Sequence, residues 1–415
     1  MAQDFRRRGA ERMKSVDNHL AEVLADIEPL APMDLQLLDA HGCLLTEDVA
    51  ADRDLPAFDN SAMDGYAVRL PDVTGASEEF PALLPVVGDI MAGSAQIERI
   101  NPGTCVRIMT GAPVPAGADA IVPVEWTDGG ITQVRIHRAP AEGQFIRRRG
   151  THIRAGEVVL RAGTWLGATQ IGVLAAIGRD RVKVRPKPRV VVVSTGSELV
   201  ELGREAGPGQ IHDSNSFMLA AAAVEAGAVA YRVGIVPDDA EQLLSTLEDQ
   251  LGRADLVITS GGVSQGAYDT VKETLSRLGT VGFDRVAMNP GMPQGFGTIG
   301  TEAVPIFTLP GNPVSAYVSF EVFVRPAIRR MLGVEPLHRP VVQARCLQAF
   351  SSPEGKRQYV RGWYDAEAET VRPVGGHASH LIGDLAQANA FIVVPEEVTE
   401  VKRDDVVDVM LLERT

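Results

Sequence analysis

Three glycine-rich loops carry residue types that hold phosphate groups in proteins. They are Ser194-Thr195-Gly196-Ser197-Glu198, Ser260-Gly261-Gly262-Val263-Ser264-Gln265-Gly266 and Pro310-Gly311-Asn312-Pro313-Val314-Ser315. Glycine lets the backbone approach a ligand closely, and the N–H groups at a helix start attract anions. Each loop alone would also serve as an ordinary tight turn. Because each follows a β-branched run, the three together predict a binding crevice at the ends of strands.

Acidic residues lie close to the same predicted strand ends. Glu198 is inside the first loop, Asp238 follows the run at 231–236, and Asp269 follows the second loop. Phosphoanhydride chemistry commonly uses Mg²⁺, which binds a few carboxylates together with water and substrate oxygens. Any one of these residues alone would more often be a helix cap or a surface acid.

Alternating strands and helices surround the loops. Short β-branched runs predict strands at 190–193, 231–236, 255–259 and 304–309. Apolar periodicity and end signals predict helices at 216–226, 238–251, 269–278 and 313–332. Asp213-Ser214-Asn215 and Asp238 supply the expected caps, and Pro326 is expected to kink or split the last helix. The pattern predicts an α/β fold whose mostly parallel sheet is covered by helices on both faces.

The remaining segments predict further elements. Residues 15–28 have the apolar stripe of an amphipathic helix, and 54–142 have the short Val, Ile and Gly texture of a small β domain. The arginine run at 147–149 is equally consistent with a solvated loop and with phosphate or partner contact. Candidate strands at 340–350, 358–364, 391–395 and 406–411 predict a second small β domain at the C-terminus.

Composition restricts the class of protein. The 415 residues are 45% hydrophobic and 23% charged, which predicts a globular chain of about two to four domains. The formal net charge of -14 argues against a nucleic-acid partner. Cys43, Cys105 and Cys346 are isolated from one another and suggest buried thiols, not a disulfide framework or a zinc site. No apolar stretch has membrane-spanning length and no signal peptide is visible, so we expect a cytoplasmic protein without a membrane partner.

Long motifs in order along the chain resemble those of the molybdopterin molybdenumtransferase family, which includes MoeA and the E domain of gephyrin. The resemblance covers nearly the whole chain. The motifs that carry it are the Ser-Thr-Gly loop with Glu198, Ser-Gly-Gly-Val-Ser at 260–264, Leu-Pro-Gly-Asn-Pro-Val-Ser at 309–315, Phe-Asp-Asn-Ser-Ala-Met-Asp-Gly-Tyr-Ala at 58–67 and Arg-Ile-Met-Thr-Gly-Ala-Pro-Val-Pro at 107–115.

The resemblance implies a multidomain α/β architecture. It consists of an elongated N-terminal dimerisation domain at 1–54 and 144–185, an inserted small β domain at 55–143, a central α/β molybdopterin-binding domain at 186–334 and a C-terminal β domain at 335–415. The resemblance also implies a homodimer in which segment 58–67 of one subunit reaches the crevice of the other. The alternative interpretation of the same segment is a tight turn stabilised by Asp and Asn.

The implied reaction inserts molybdate into adenylylated molybdopterin, releasing AMP and molybdenum cofactor. By motif position, the residues assigned to catalysis are Asp59, Thr110, Glu198, Asp238 and Asp269, of which the last three are also the implied ligands of Mg²⁺. Those assigned to molybdopterin binding are Ser194, Thr195, Gly196, Ser260, Gly261, Gly262, Ser264, Gly266, Arg285, Pro310, Gly311 and Asn312. Those assigned to molybdate binding are Pro293, Ser315, Arg361 and Ser379.

The sequence departs from the family pattern at four positions. Asn289 and Met292 replace two frequent lysines, and Ser197 and His152 replace common aspartates. A neutral amide still donates hydrogen bonds but supplies no net charge. Arg285 keeps a cation at a nearby matching position. The departures are compatible with weaker oxyanion affinity, with a variant that works normally and with a paralogue of altered function.

Two classes of function therefore stay open. The first is an active molybdenumtransferase. The second is a non-catalytic molybdopterin-binding or scaffold protein of the same fold, which the missing lysines favour. A third reading, an adenylyltransferase acting on molybdopterin, shares the Ser-Gly-Gly loop but lacks the segments at 58–67 and 107–115.

Overall fold

The chain folds into two compact units. The computed structural model describes residues 13–94, 99–237, 239–261, 275 and 279–412. Unit 1 comprises Met1–Met33, Gly42–Leu44 and Arg185–Thr415, and unit 2 comprises Asp34–His41 and Leu45–Val184. The finer division into four domains stays a prediction. Among the described residues, none of the helices combines the length and the apolar character needed to span a bilayer.

The helices lie mainly in unit 1. In chain order they are α1 (Val16–Ala25), α2 (Leu70–Val73), α3 (Ala168–Ala176), α4 (Asn215–Ala226), α5 (Ala240–Leu251), α6 (Pro313–Ser319), α7 (Arg325–Leu332) and α8 (Ile382–Leu385). A turn of π-helix at Phe320–Val324 joins α6 to α7, and a 3-10 turn spans Val124–Trp126. The helix predicted at 269–278 lies outside the described residues except for Leu275.

Unit 2 is built from short strands around a five-stranded sheet. The strands of the first 185 residues are β1 (Met33–Gln36), β2 (Leu44–Leu45), β3 (Val49–Ala50), β4 (Asn60–Ser61), β5 (Gly65–Val68), β6 (Ala82–Ile90), β7 (Cys105–Ile108), β8 (Ala120–Pro123), β9 (Gln133–Ile136), β10 (Ile146–Arg147), β11 (Val158–Leu160) and β12 (Arg181–Arg185). The sheet has the order β8-β5-β7-β6-β9. Tyr66 and Ala67 of β5 belong to two different apolar clusters, so both faces of the sheet are covered. The strands predicted within 54–142 are confirmed.

The central sheet of unit 1 is mostly parallel. Its region contains β13 (Arg189–Thr195), β14 (Leu199–Val200), β15 (Ile211–His212), β16 (Val229–Val236), β17 (Leu256–Ser260), β18 (Gly282–Arg285), β19 (Met288–Asn289), β20 (Pro293–Ile299) and β21 (Val304–Leu309). The order is β16-β13-β17-β21-β20-β18. The four strands at the β16 side pair in parallel, while β20 and β18 are antiparallel. The predicted α/β fold class is confirmed.

The valines of β13 explain why this sheet has helices on both faces. Val190 and Val192 pack in one apolar cluster with α4, α6 and α7, whereas Val191 and Val193 pack in another with Leu243 and other apolar residues. Successive side chains of a strand point to opposite faces. A continuous apolar run therefore requires burial on both sides, as the sequence predicted.

One helix start differs from the prediction by one residue, and the expected interruption of the helix near Pro326 is present. Asp239 caps α5, because its side chain accepts a hydrogen bond from the Gln242 amide at 2.9 Å. The predicted cap, Asp238, was therefore wrong by one residue, since a cap oxygen reaches the N–H three positions along the chain. The helix predicted at 313–332 is split, and the π-turn lies directly before the segment that contains Pro326. Proline lacks an N–H and its ring crowds the carbonyl four residues back, so the helix adjusts there.

A second sheet follows in unit 1. Its region contains β22 (Val341–Cys346), β23 (Phe350–Ser351), β24 (Arg357–Asp365), β25 (Thr370–Pro373), β26 (Ala390–Val394), β27 (Glu400–Val401) and β28 (Val406–Leu411). The six-stranded sheet has the order β19-β24-β25-β22-β28-β26, with β24 also pairing with β26. The candidate strands of the C-terminal region are confirmed.

Two arginine–carboxylate pairs in unit 1 have the same bidentate geometry but different burial. Arg339 donates from Nε and Nη2 to Glu321 at 2.8 and 2.9 Å, and both side chains are at least 96% buried. Arg357 donates from both terminal nitrogens to Asp17 at 2.7 and 2.9 Å, but the Asp17 side chain is 70% exposed. Removing one partner of a buried pair leaves an uncompensated charge in the interior. Exposed pairs, in contrast, contribute little to the free energy of unfolding.

We predict that Glu321→Ala lowers the free energy of unfolding by about 3–5 kcal/mol, because Arg339 would lose its partner in the interior. The matched change Asp17→Ala is expected to cost only about 0–1 kcal/mol. Urea denaturation followed by circular dichroism compares the two variants with the wild type. Equal midpoints for both variants would contradict the expected difference in burial energetics.

Candidate functional site

The three predicted loops meet at one edge of the central sheet. Neighbouring parallel strands β13, β17 and β21 end at Thr195, Ser260 and Leu309, directly before the loops. A cavity of about 580 Å³ opens there within unit 1. It is lined by Ser194, Thr195, Glu198, Leu199, Ile211, His212, Asp213, Ser214, Asn215, Ser260, Gly261, Pro293, Pro310, Gly311, Asn312, Pro313, His380 and Ile382. The predicted convergence is therefore found for the first and third loops and for Ser260 and Gly261 of the second, whose later residues lie outside the described ranges.

Glycine is required where two of these loops touch. Gly261 has a φ of 99°, and a Cβ placed on it would lie 2.2 Å from the Thr195 carbonyl oxygen. A Cβ on Gly311 would lie 3.5 Å from the Gly261 Cα, and one on Gly196 would lie 2.6 Å from the Glu198 carboxylate. A side chain at Gly261 would push the first and second loops apart, and one at Gly196 would displace the acid, whereas the distance at Gly311 is an ordinary van der Waals contact. Glycine at position 261 therefore allows the backbones of the first two loops to approach closely beside the cavity.

Part of the predicted site falls outside the described residues. These positions are Asp238, Gly262, Ser264, Gly266 and Asp269. Glu198, the remaining predicted Mg²⁺ ligand, is exposed and lines the cavity. Within the described part of the chain, no three His, Cys, Asp or Glu side chains group as a metal site. Because two of the three predicted ligands are not among those residues, the Mg²⁺ site stays a prediction.

A buried polar network below the cavity was not assigned a functional role by sequence reasoning. Asp213, only 1% exposed, accepts hydrogen bonds from the Ser194 hydroxyl at 3.0 Å and from the Ser216 amide at 3.0 Å. Ser216 Oγ also donates to Asp213 at 2.5 Å, and Arg232 donates to Ser216 Oγ at 2.5 Å. The sequence signal was the Asp-Ser-Asn run, which predicted caps only. The carboxylate caps α4 and at the same time fixes the Ser194 hydroxyl.

Asn215 joins the second and third loops. Its Nδ2 donates to Ser260 Oγ at 2.8 Å and to the Gly311 carbonyl oxygen at 2.7 Å. The residue is 9% exposed and lines the cavity. The sequence placed Asn215 among the caps of α4, but the structure uses its side chain to tie two loops together.

The predicted molybdate-binding residues lie on connected segments. Arg361, 3% exposed, donates to the carbonyl oxygens of Gly376 and of Ala378, the latter at 3.1 Å. Burial lowers the pKa of the Arg361 guanidinium. The Ser379 carbonyl accepts from the Val314 amide at 3.0 Å, next to the buried Ser315. Pro293 lines the cavity itself, as does His380, which no sequence signal had marked.

Arg285 lies beside this group. It is the cross-strand partner of Pro293 in the β18–β20 ladder. Its Nη2 is 3.7 Å from the sulfur of Met292. Gln294 holds the preceding turn by donating to the Gly291 carbonyl oxygen and to Ser319 Oγ, both at 2.6 Å. The guanidinium therefore contacts a neutral sulfur where the family pattern would often place a lysine.

Asp59 and Thr110 lie in unit 2. The Asp59 carboxylate accepts from the Arg149 amide and from Arg148 Nη1, both at 2.7 Å, and these bonds hold its pKa below the usual range. Thr110 donates from its amide and its hydroxyl to Asp64, each at 2.7 Å. Arg148 and Arg149 of the arginine run therefore contact an acidic side chain. Sequence reasoning had not assigned Asp64 as the partner of Thr110 or Arg148 as the partner of Asp59.

Three family models match the chain almost end to end. Residues 14–178 match the MoeA N-terminal region (domain I and II), residues 191–330 match the probable molybdopterin binding domain, and residues 343–412 match the MoeA C-terminal region (domain IV). The matches follow the same order as the motifs noted in the sequence.

Similar proteins agree with these matches. The chain is 42% identical over 422 residues to molybdopterin molybdenumtransferase 1 of Mycobacterium tuberculosis, covering 96% of this chain and 99% of that protein. It is 47% identical over 395 residues to molybdopterin molybdenumtransferase 2 of the same organism, covering 94% and 97%. A crystal structure of the molybdopterin biosynthesis MoeA protein from Pyrococcus horikoshii superimposes with a TM-score of 0.75 at 30% identity, covering 97% of this chain and 100% of that one. From its loops, its domain matches and its full-length relatives, the chain belongs to the molybdopterin molybdenumtransferase family, also called MoeA.

Proposed function

We propose that the protein inserts molybdate into adenylylated molybdopterin, releasing AMP and the molybdenum cofactor. The observation that carries the proposal is the cavity at the ends of β13, β17 and β21, in a chain whose full-length relatives are named molybdopterin molybdenumtransferases. Ligands of open α/β sheets bind at the carboxyl ends of the strands. The direct test incubates the purified protein with adenylylated molybdopterin, Mg²⁺ and molybdate and follows AMP release.

The chain's own residues supply the binding surface for the pyrophosphate. Close backbone approach at Gly261, with the Ser194 and Ser260 hydroxyls beside the cavity, favours a polar ligand over a bulky apolar group. Glu198 at the rim would hold Mg²⁺ together with Asp238 and Asp269. Mg²⁺ would neutralise charge on phosphate oxygens. Orientation of the pyrophosphate in this cavity brings the reacting groups together and so lowers the barrier.

The oxyanion is proposed to bind where Pro293 meets the segment that contains Ser379. The Arg361 guanidinium and the Val314–Ser379 hydrogen bond hold that segment in place. Arg285 lies opposite Pro293 and offers a positive charge. Together these contacts support an oxyanion pocket without the two lysines. The names of the full-length relatives favour catalysis over the scaffold alternative, although Asn289 and Met292 stand where the family pattern often has lysines.

The working unit is proposed to be a cytoplasmic homodimer in which each site uses residues from both subunits. Support comes from Asp59 and Thr110, which carry predicted roles but lie in unit 2, whereas the cavity lies in unit 1. Both are held by strong local hydrogen bonds, as a preformed contact surface requires. Twofold interfaces are the commonest route to a homodimer.

We predict that Glu198→Gln and Asp269→Asn each lose AMP release while folding is kept, because each change removes a negative charge that would hold Mg²⁺. Activity is compared with the wild type at equal protein concentration, and circular dichroism checks the fold. Glu241→Gln, an acid-to-amide change in the first turn of α5, is the control and is expected to stay active. Wild-type turnover by both site variants would remove these residues from the mechanism.

Met292→Lys is predicted to lower the molybdate concentration needed for half-maximal activity by roughly fivefold, since one added charge at about 4 Å contributes about 1 kcal/mol at the dielectric of water. Met292→Gln, which adds polarity but no charge, serves as the control and is expected to change it little. Both variants are titrated with molybdate at saturating adenylylated molybdopterin. An unchanged or higher requirement in the lysine variant would mean that Arg285 and other groups already complete the pocket.

Mixing experiments test the shared site. Asp59→Ala and Asp269→Ala chains, each inactive alone, should form mixed dimers that contain one complete site out of two. With random exchange about half of the dimers are mixed, so activity should recover to roughly a quarter of the wild-type value. The measurement needs differently tagged chains so that exchange is demonstrated independently. Exchange without recovery would place each site within a single chain.

A further inference from the structure

The orientation of the Asn215 side-chain amide is determined by its partners. The Gly311 carbonyl oxygen, 2.7 Å away, can only accept a hydrogen bond, so the nitrogen end of the amide must face it. The same nitrogen has a second hydrogen, which points to Ser260 Oγ at 2.8 Å. Ser260 is therefore the acceptor in this bond.

The consequence concerns the hydroxyl hydrogen of Ser260. A serine hydroxyl has one hydrogen to donate and lone pairs that accept. With a lone pair occupied by Asn215, the hydrogen stays available, and no acceptor for it is found within the described ranges. Ser260 lines the cavity, so the free donor belongs to the surface that meets the ligand.

Ser194 has the opposite arrangement. Ser194 and Ser260 are register partners in the β13–β17 pair and both line the cavity. The Ser194 hydroxyl donates to the buried Asp213 carboxylate, which only accepts when ionised. Its hydrogen is therefore occupied, and lone pairs remain. Two neighbouring serines thus present an acceptor on β13 and a donor on β17.

We infer that Asn215 is a positioning residue that makes Ser260 a hydrogen-bond donor to an anionic group of the substrate, its pyrophosphate in the proposed reaction. The inference rests on the proposed function. A phosphate oxygen accepts only, and a donor whose orientation is set in advance binds it better than a free rotor.

The rest of the Asn215 side chain agrees with this role. Its Oδ1 is buried, and no described residue donates to it. Burying a polar atom without a partner destabilises a fold. An amide that served only stability would have hydrogen-bond partners for both its oxygen and its nitrogen. Here only the nitrogen has described partners, and these lie on two loops that border the cavity.

The first experiment is a double-mutant cycle of Asn215→Ala and Ser260→Ala. Equilibrium dialysis measures binding of adenylylated molybdopterin without molybdate, and AMP release is measured separately. We expect Ser260→Ala to weaken binding by about ten- to a hundredfold, as for a hydrogen bond to a charged group. Asn215→Ala should weaken binding clearly when Ser260 is present and little when Ser260 is replaced by Ala, because Asn215 acts through the Ser260 hydroxyl. Equal losses in both backgrounds would overturn the inference, since a purely structural role does not depend on the hydroxyl.

The nearly isosteric Asn215→Asp tests polarity directly. An ionised carboxylate accepts and would take the Ser260 hydrogen, so binding should fall at pH 8 and recover in part at lower pH, where the protonated acid can donate again. Asn18→Asp, the same change at an exposed position of α1, controls for the added charge and should bind as the wild type does. A constant deficit of Asn215→Asp at every pH would contradict the inference.

The outcomes separate this inference from the proposed function. Wild-type binding with the expected coupling but without AMP release would leave the role of Asn215 standing and remove the proposed activity. AMP release by the wild type, together with equal losses of binding from Asn215→Ala in both backgrounds, would support the proposed activity and overturn the role of Asn215. Absence of wild-type binding would overturn both.

Discussion

The parallel alignment of β16, β13, β17 and β21 is the constraint on which the site depends. Parallel strands bring their carboxyl ends to the same edge of a sheet, so three loops that are far apart in sequence border one cavity. The alignment requires crossovers that cover both faces with helices. The alternating burial of the β13 valines in two separate apolar clusters provides that cover. The same parallel arrangement, covered by helices, therefore both places the loops and stabilises the sheet.

The cavity floor must admit an anion in a chain whose formal net charge is -14. None of the described residues that line the cavity is a lysine or an arginine, so oriented side-chain hydroxyls become important. Such dipoles act over short distances and keep their strength when a site excludes water. Asp213, which lines the cavity but is only 1% exposed, has its carboxylate beside Ser194, Ser216 and Arg232. The negative charge therefore holds the hydrogen of the Ser194 hydroxyl, which leaves the lone pairs of that oxygen for other partners.

The two missing lysines have a local structural counterpart. Met292 lies against the Arg285 guanidinium, and a buried glutamine, Gln294, holds the turn that precedes it. Arginine differs from lysine because its planar group can bind an oxyanion through two parallel hydrogen bonds. In the proposed oxyanion pocket, a single guanidinium beside Pro293 would therefore supply part of the charge that two ammonium groups would supply.

From the amino-acid pattern alone we predicted the parallel strands β13, β16, β17 and β21, the glycine loops, the family and half of the residues that line the cavity, because these depend on local patterns and long motifs. It also predicted the split near Pro326, since the missing N–H acts on the helix that contains it. The contacts that Asn215 and Asp213 make across loops became visible only in the folded chain, because their partners are up to 96 residues away along the chain. The start of α5 at Asp239 differs from the prediction by one residue, and this difference depends on local backbone geometry. The sequence also could not predict the hydrogen-bond directions at Ser194 and Ser260. Ser194 donates to Asp213 and Ser260 accepts from Asn215, because the fold places different groups beside two identical residues.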